Sequence, residues 1–147
     1  MNRFERLSKF MARRGMFKYL AHEDRYLFVG QEPKLKFNVI GTGSNGREHI
    51  KVTMLEGRAT IHGVYDTNPL SIEGAKDTYG QYASKDDLVV YDSLADAYSD
   101  PEVDGLIICT PNYTHIDVVR EVIKSGKHIL LQKPMATTIP DAYEIMQ

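Results

Sequence analysis

Residues 36–46, read as KFNVIGTGSNG, constrain the fold of this chain more than any other stretch. A short β-forming run ends at Ile40 and leads straight into Gly41, Gly43 and Gly46, which match the pattern G-x-G-x-x-G. When this pattern follows a strand and opens a helix, it is typical of the first turn of a dinucleotide-binding unit. The alternative is an ordinary strand-to-helix turn that is rich in glycine.

Each glycine of this turn has its own predicted role. Gly41 allows the tight turn off the strand, Gly43 lets a pyrophosphate approach the backbone, and Gly46 lets the helix pack close to the strand. The helix would direct its free N–H groups and the positive end of its dipole at the phosphates. The predicted cofactor-binding turn also includes the residues between the glycines, which are Thr42, Ser44 and Asn45.

Composition narrows the class of protein. The chain has 147 residues, which is the length of one domain, with 42% hydrophobic residues, 26% charged residues and a net charge of −2. These values exclude collagen-like and disordered chains and give no sign of a nucleic-acid partner. No apolar run approaches the roughly 18 residues that span a membrane. Cys109 is the only cysteine, which excludes an intrachain disulfide and a cysteine-rich metal site. We therefore expect a cytoplasmic protein without a membrane partner.

Residues 1–35 differ in charge from the rest of the chain. They contain eight basic and four acidic residues, so they carry +4 and residues 36–147 carry −6. Phe4, Leu7, Phe10 and Met11 recur at helical spacing between basic residues, which predicts a basic and partly helical extension. Such a helix could lie on a membrane, bind a partner or pack against its own domain. We expect the second region, residues 36–147, to be the dinucleotide-binding domain.

Strand and helix patterns alternate along residues 36–147. Strands are predicted over 36–40, 60–65, 88–91, 105–109 and 128–131, and helices over 44–55, 69–79, 93–98, 114–125 and from about 140 onward. In the first helix, Ile50, Val52 and Leu55 are candidates for the buried face. This order predicts an α/β fold with a doubly wound parallel sheet between two layers of helices.

Asp66 follows the second predicted strand and lies 20 residues after Gly46. At this spacing a carboxylate accepts hydrogen bonds from the ribose of the bound adenosine. It would also repel a 2′-phosphate, so Asp66 favours NAD over NADP. The alternative is that Asp66 only opens the turn Asp-Thr-Asn-Pro, since these residue types are turn formers.

Two more polar clusters follow the fourth and fifth strands, Thr110-Pro111-Asn112 and Gln132-Lys133-Pro134. Because the carboxyl ends of parallel strands share one edge of a sheet, the glycine turn, Asp66 and these clusters should form one site. Lys133 is the candidate catalytic residue, because it could hydrogen-bond a substrate hydroxyl beside a nicotinamide. The alternative is a solvated surface lysine.

Histidines give weaker signals. His115 opens the fourth helix, where it could approach the cofactor or could cap or pack. No pair of histidines has metal-ligand spacing with a carboxylate, so the sequence predicts no metal site. The absence of a G-x-S-x-G elbow argues against a serine hydrolase.

Six motifs together resemble the glucose–fructose oxidoreductase and inositol dehydrogenase (Gfo/Idh/MocA-like) family. They occur in order over about residues 35–147 and comprise GTGSNG, Val64–Asp66, Asp100–Asp104, Thr110–Asn112 with His115, Ser125–His128, and Gln132–Pro134. The resemblance implies an N-terminal NAD(P)-binding Rossmann domain, a C-terminal substrate domain and hydride transfer to or from sugars, inositols or related polyols. It also implies that Lys133 contacts the substrate and assists proton transfer, and that Gln132 and His115 lie at the cofactor.

Two features depart from that family pattern. Gln132 stands where the family has glutamate, so one charge is lost beside the cofactor. The family's substrate domain, which usually forms the homo-oligomer, is not part of these residues. We therefore expect this stretch alone to bind NAD, with NADP the weaker alternative, and not to turn over substrate. A non-catalytic nucleotide-sensing or protein-interaction module is the other interpretation.

Overall fold

Strands and helices alternate in the computed structural model, which describes residues 32–147. The strands are β1 (Leu35–Ile40), β2 (Ala59–Tyr65), β3 (Val89–Val90), β4 (Gly105–Ile108) and β5 (His128–Leu131). The helices are α1 (Ser44–Glu56), α2 (Pro69–Tyr79), α3 (Leu94–Ser99), α4 (His115–Val122) and α5 (Ile139–Ile145). The helical pattern predicted around Phe4 to Met11 lies outside the described residues.

The five strands form one parallel sheet in the order β3-β2-β1-β4-β5. From β1 the chain first builds outward through β2 and β3, and it then returns to the other side of β1 for β4 and β5. This reversal of strand order places the switch point between β1 and β4, where doubly wound sheets bind their ligands. The predicted doubly wound α/β fold is confirmed.

Burial in β4 shows why the sheet has helices on both faces. All four residues of this strand are buried, and successive side chains point to opposite faces. Ile107 joins the cluster that includes Ile50 and Met54 of α1, whereas Leu106 and Ile108 join the cluster with Val119 of α4. A continuous apolar strand thus serves two cores, one on each side of the sheet.

Local signals set the ends of the helices. Ser93 caps α3 by accepting a hydrogen bond from Asp96 N at 3.1 Å. Asn68 caps α2 in the same way by accepting from Leu70 N at 3.0 Å. Gly57 ends α1 with a φ of +93°, a left-handed conformation that glycine adopts readily.

Three local expectations were wrong. β3 pairs over only two residues, because Leu88 N donates to Lys85 O in the preceding turn instead of to the sheet. The α-helical part of the fourth helix ends at Val122, and residues 123–125 form a 3-10 turn after it. Val52 is 52% exposed, and Met54 instead follows Ile50 on the buried face one helical turn later.

Candidate cofactor-binding site

A cleft of about 630 Å³ lies at the carboxyl ends of the strands. Its lining comes from all four predicted clusters and comprises residues 41 and 43–45 of the glycine turn, residues 65–68 and 71, residues 109–112 and residues 132–134. Thr42, Gly46 and His115 are buried and are not part of this lining. The four predicted clusters thus meet at one edge of the sheet and provide most of the lining of this cleft, whereas three of the predicted residues lie beneath it.

Close approach explains two of the three glycines. Gly41 has a φ of +87°, and a Cβ there would stand 2.6 Å from Thr110 N. Gly46 is in α1, where a Cβ would overlap the carbonyl oxygen of Gly41 and stand 3.4 Å from Cγ1 of Val39. Both positions exclude a side chain because the turn, the helix and the neighbouring loop are packed backbone to backbone.

Gly43 is different, because a Cβ built there meets nothing within 4 Å. It is the N-cap of α1, and no side chain caps this helix. The first backbone bond of the helix runs from Arg47 N to Gly43 O at 3.0 Å, so the N–H groups before Arg47 are not used by the helix. No acidic residue occupies the first turn. An open helix start that has no capping side chain or carboxylate suits an anionic group such as a pyrophosphate.

Asp66 connects the end of β2 to the glycine turn. Its Oδ2 accepts hydrogen bonds from Thr42 N at 2.6 Å and from Thr42 Oγ1 at 3.1 Å. Its Oδ1 accepts from Asn68 N at 2.8 Å, which forms the turn that the sequence offered as the alternative. A carboxylate has about four acceptor positions, so one remains on Oδ1 for a ligand hydroxyl. The turn-forming role is therefore present, and it leaves room for a single ribose contact.

The loop after β4 holds its shape through local bonds. Thr114 Oγ1 donates to Pro111 O at 2.7 Å and also lies 2.9 Å from Thr110 Oγ1. Cys109 lines the cleft at the start of this loop, and burial raises the pKa of its thiol to about 11. The thiol is therefore protonated at neutral pH and is not a nucleophile in this state.

Gln132 and Lys133 follow β5. Gln132 N donates to Ile108 O at 2.9 Å and extends the sheet by one bond, while its side-chain Oε1 accepts from Lys133 N at 2.8 Å. Its Nε2 lies 3.5 Å from Nε2 of His49 on α1. Lys133 is exposed, and within residues 32–147 its ammonium forms no ion pair. The Lys133–Pro134 peptide bond is cis.

His115 is 1% exposed and lies between the loops after β4 and β5. Its Nδ1 is 3.1 Å from Pro134 O and 3.3 Å from Met135 O, and its Nε2 is 3.0 Å from Thr110 O. Of the roles offered by the sequence, the structure thus places His115 in packing between two loops.

Several lining residues were missed by the sequence reasoning. They are Tyr65, Thr67, Asn68, Ser71 and Cys109. Most of them are direct neighbours of a predicted residue at a strand end, so adjacency was an available signal. His49, which contacts Gln132 from another element, had no such signal because the two positions are 83 residues apart.

Residues 32–147 contain neither a cluster of metal-binding side chains nor a helix suited to a membrane. No group of three or more histidine, cysteine, aspartate or glutamate side chains in this range could hold a metal ion. No helix in the same range has the length and apolar character needed to cross a bilayer.

Comparison with known proteins assigns the family. The family model described as "Oxidoreductase family, NAD-binding Rossmann fold" (GFO_IDH_MocA) matches residues 35–147. The chain belongs to this oxidoreductase family. The resemblance stated from the motifs is confirmed, and so is the expectation of an NAD-binding Rossmann domain in this chain.

Three relatives illustrate the range of the family. Glucose-6-phosphate 3-dehydrogenase of Bacillus subtilis is 31% identical over 73% of this chain and 28% of its own length. Biliverdin reductase A of Mus musculus is 30% identical over 81% of this chain and 38% of its own. The crystal structure of myo-inositol dehydrogenase from Lactobacillus casei, in complex with NAD(H) and myo-inositol, aligns with a TM-score of 0.68 at 27% identity. It covers 76% of this chain and 32% of that protein. The chain thus spans about a third of the length of the proteins it matches.

Proposed function

We propose that the cleft binds NAD(H) in one orientation. The pyrophosphate lies at the start of α1 beside Gly43, the adenosine ribose lies against Asp66, and the nicotinamide extends toward Asn112 and Lys133. The observation that carries this proposal is the open backbone at Gly43 together with the uncapped start of α1. The free acceptor position on Asp66 lies on the adjacent strand end and supports the same orientation.

We further propose that the whole protein is a dehydrogenase acting on a sugar, an inositol or a related polyol. Bound NAD supplies a hydride acceptor at its nicotinamide. In this chain, Lys133 is exposed in the cleft lining and has no ion-pair partner within residues 32–147, so its Nζ is available to a substrate hydroxyl. Lys133 would hold or move the proton of that hydroxyl while hydride leaves the same carbon. The names of two of the three relatives support this substrate class.

The test of cofactor choice is calorimetric titration with NADH and, separately, with NADPH. A carboxylate at Asp66 disfavours a 2′-phosphate by about 1–3 kcal/mol, so we expect NADH to bind about tenfold or more tightly than NADPH. Replacing Asp66 with alanine should bring the ratio of the NADPH and NADH dissociation constants closer to one. Because Asp66 also bonds Thr42 N and Asn68 N, both affinities will fall, and the ratio is therefore the informative quantity.

The matched control is Asp86→Ala, which removes an exposed carboxylate outside the cleft lining. It should leave the ratio unchanged. Equal binding of NADH and NADPH by the unchanged protein would contradict the role of Asp66, and binding of neither would contradict the cofactor site itself.

A non-catalytic nucleotide-binding module is the second candidate, and Gln132 is the observation that favours it. Its side chain is neutral, so the negative charge of the family's glutamate is missing from this position. Its Oε1 accepts a hydrogen bond from Lys133 N. Turnover by the whole protein with NAD and a polyol, abolished by Lys133→Ala, would decide for the enzyme. The same preparation would test by sedimentation the homo-oligomer that the family resemblance implies.

A further inference from the structure

We propose that His115 is a positioning residue that fixes the loop of Lys133 against the loop of Thr110 and Asn112. The inference rests on the proposed function, because it concerns the nicotinamide side of the same cleft. His115 does not line the cleft, so it would act through the two loops and not by contact with the cofactor.

The contacts of the ring support this role. Nδ1 faces Pro134 O at 3.1 Å and Met135 O at 3.3 Å, and Nε2 faces Thr110 O at 3.0 Å. All three partners are backbone carbonyl oxygens, which can only accept hydrogen bonds. The imidazole therefore lies between two loops and donates to a carbonyl through the ring nitrogen that carries the hydrogen, and His115 itself is 1% exposed.

The sheet itself does not hold these loops together. The last ladder bond between β4 and β5 runs from Gln132 N to Ile108 O at 2.9 Å. Beyond it, within the part of the chain that the structure describes, the only hydrogen-bond contacts from residues 109–115 to residues 133–138 are those of His115 Nδ1, and Nε2 of the same ring faces Thr110 O. Without the imidazole, the carbonyls of the two loops lose the N–H donor that lies between them, and the separation of the two loops is set by packing alone.

A positioning role and a purely structural role make different predictions. If His115 only anchors α4, its loss weakens every part of the cofactor site to the same degree. If it sets the spacing of the loops after β4 and β5, the loss falls on the nicotinamide end, and the phosphates and adenosine are bound as before. ADP-ribose has the phosphates and the adenosine but lacks nicotinamide, so it separates the two roles.

The experiment measures dissociation constants for NADH and ADP-ribose in three variants. His115→Phe keeps the volume of the ring without a donor, His115→Asn places an amide nitrogen near the position of Nδ1, and His115→Gln places one near Nε2. We expect His115→Phe to weaken NADH about tenfold and ADP-ribose less than about twofold. The asparagine and glutamine variants should each recover part of the NADH affinity, because each restores one side of the bridge.

The control is His128→Phe, the same substitution at an exposed histidine of β5 outside the cleft lining. Equal loss for both ligands, or no loss for either, would overturn the positioning role. If the parent protein binds ADP-ribose as tightly as NADH, the nicotinamide contributes no affinity and the positioning role is overturned. The proposed site for the phosphates and the adenosine ribose would still stand. Unchanged protein that binds neither ligand refutes the proposed function instead. If His115→Phe does not fold, the asparagine and glutamine variants give the same comparison.

Discussion

Gly43 and Gly46 belong to one motif, and the structure predicts opposite consequences when each is replaced by alanine. Gly46 is buried where α1 meets the turn, whereas Gly43 opens onto the cleft. We expect Gly46→Ala to destabilise the fold. We expect Gly43→Ala to leave the fold intact and to weaken cofactor binding.

The size of the first effect follows from the neighbours of the added methyl. At Gly46 the new Cβ would overlap the carbonyl oxygen of Gly41, stand 3.0 Å from Gly41 C and touch Val39 at 3.4 Å. The nearest atoms are backbone, so no flexible side chain can move aside and α1 must shift as a body. Overpacking of this kind costs about 1–3 kcal/mol of the free energy of unfolding. For a domain of this size, the melting temperature should fall by about 5–15 °C.

The size of the second effect follows from empty space. At Gly43 the new Cβ meets no atom within 4 Å, and the φ of −60° is available to alanine without strain. Alanine is a weaker N-cap than glycine, but it also lowers the entropy of the unfolded chain, so stability should change by less than about 1 kcal/mol. The methyl points toward the proposed phosphate position, and NADH affinity should fall by about tenfold or more.

Circular dichroism melting and NADH titration together test both statements. The two variants should separate, with Gly46→Ala losing melting temperature and Gly43→Ala losing affinity at an unchanged melting temperature. The reasoning is refuted if Gly43→Ala binds NADH as the parent does, because the pyrophosphate then lies elsewhere. It is also refuted if Gly46→Ala melts at the parent temperature, because the close packing of α1 on the turn would then not hold in solution.

Two further predictions concern titrating groups. With a pKa of about 11, the thiol of Cys109 should be alkylated by iodoacetamide about 100-fold more slowly in the folded protein than in urea at pH 8, measured by intact mass. Equal rates would contradict its burial. The Tyr91 hydroxyl donates to Asp100 at 2.6 Å and is the largest cause of the lowered pKa of that carboxyl. Because the pKa of this carboxyl is lower in the folded protein, its ionised form stabilises the fold at pH values above the unfolded-state pKa of about 4. This stabilisation is lost as the pH falls through the folded-state pKa. The stability gap between the parent and Tyr91→Phe should therefore narrow from pH 5 to pH 2 in urea titrations, and a constant gap would show that Asp100 is not coupled to Tyr91.

The features that could be predicted from the sequence are those determined by residues close together in the chain. The glycine turn, the acidic residue after β2 and the polar runs after β4 and β5 each sit within a few residues of a strand end. The parallel topology then brings strand ends together without further information. Asp66 illustrates the limit of this reasoning, because both alternatives offered for it use the same carboxylate. The structure shows three protein donors on it and one remaining acceptor position, which spacing alone cannot reveal.

The parts that could not be predicted depend on contacts between distant elements. For His115 the sequence left open an approach to the cofactor or a capping or packing role, and only the family resemblance implied the cofactor. The position of His115 depends on the fold of residues 134–135, which a local pattern does not contain. Val52 was placed on the buried face of α1, but the helical period puts that face at Ile50 and Met54. In each case the missing information was which side of an element another element covers.

These distant contacts also explain how four separate loops form one cleft. Thr42 joins the glycine turn to Asp66, the backbone of Gly41 packs against Thr110, and His115 joins the Thr110 loop to the loop after Lys133. Gln132 links the loop after β5 to α1 through its contact with His49. Because the links pass from loop to loop, a change at a buried position can alter the cleft as much as a change in its lining. More residues therefore shape the site than touch a ligand. Ligands that differ in one part, such as NADH and ADP-ribose, can distinguish the residues that shape the site from those that contact the ligand.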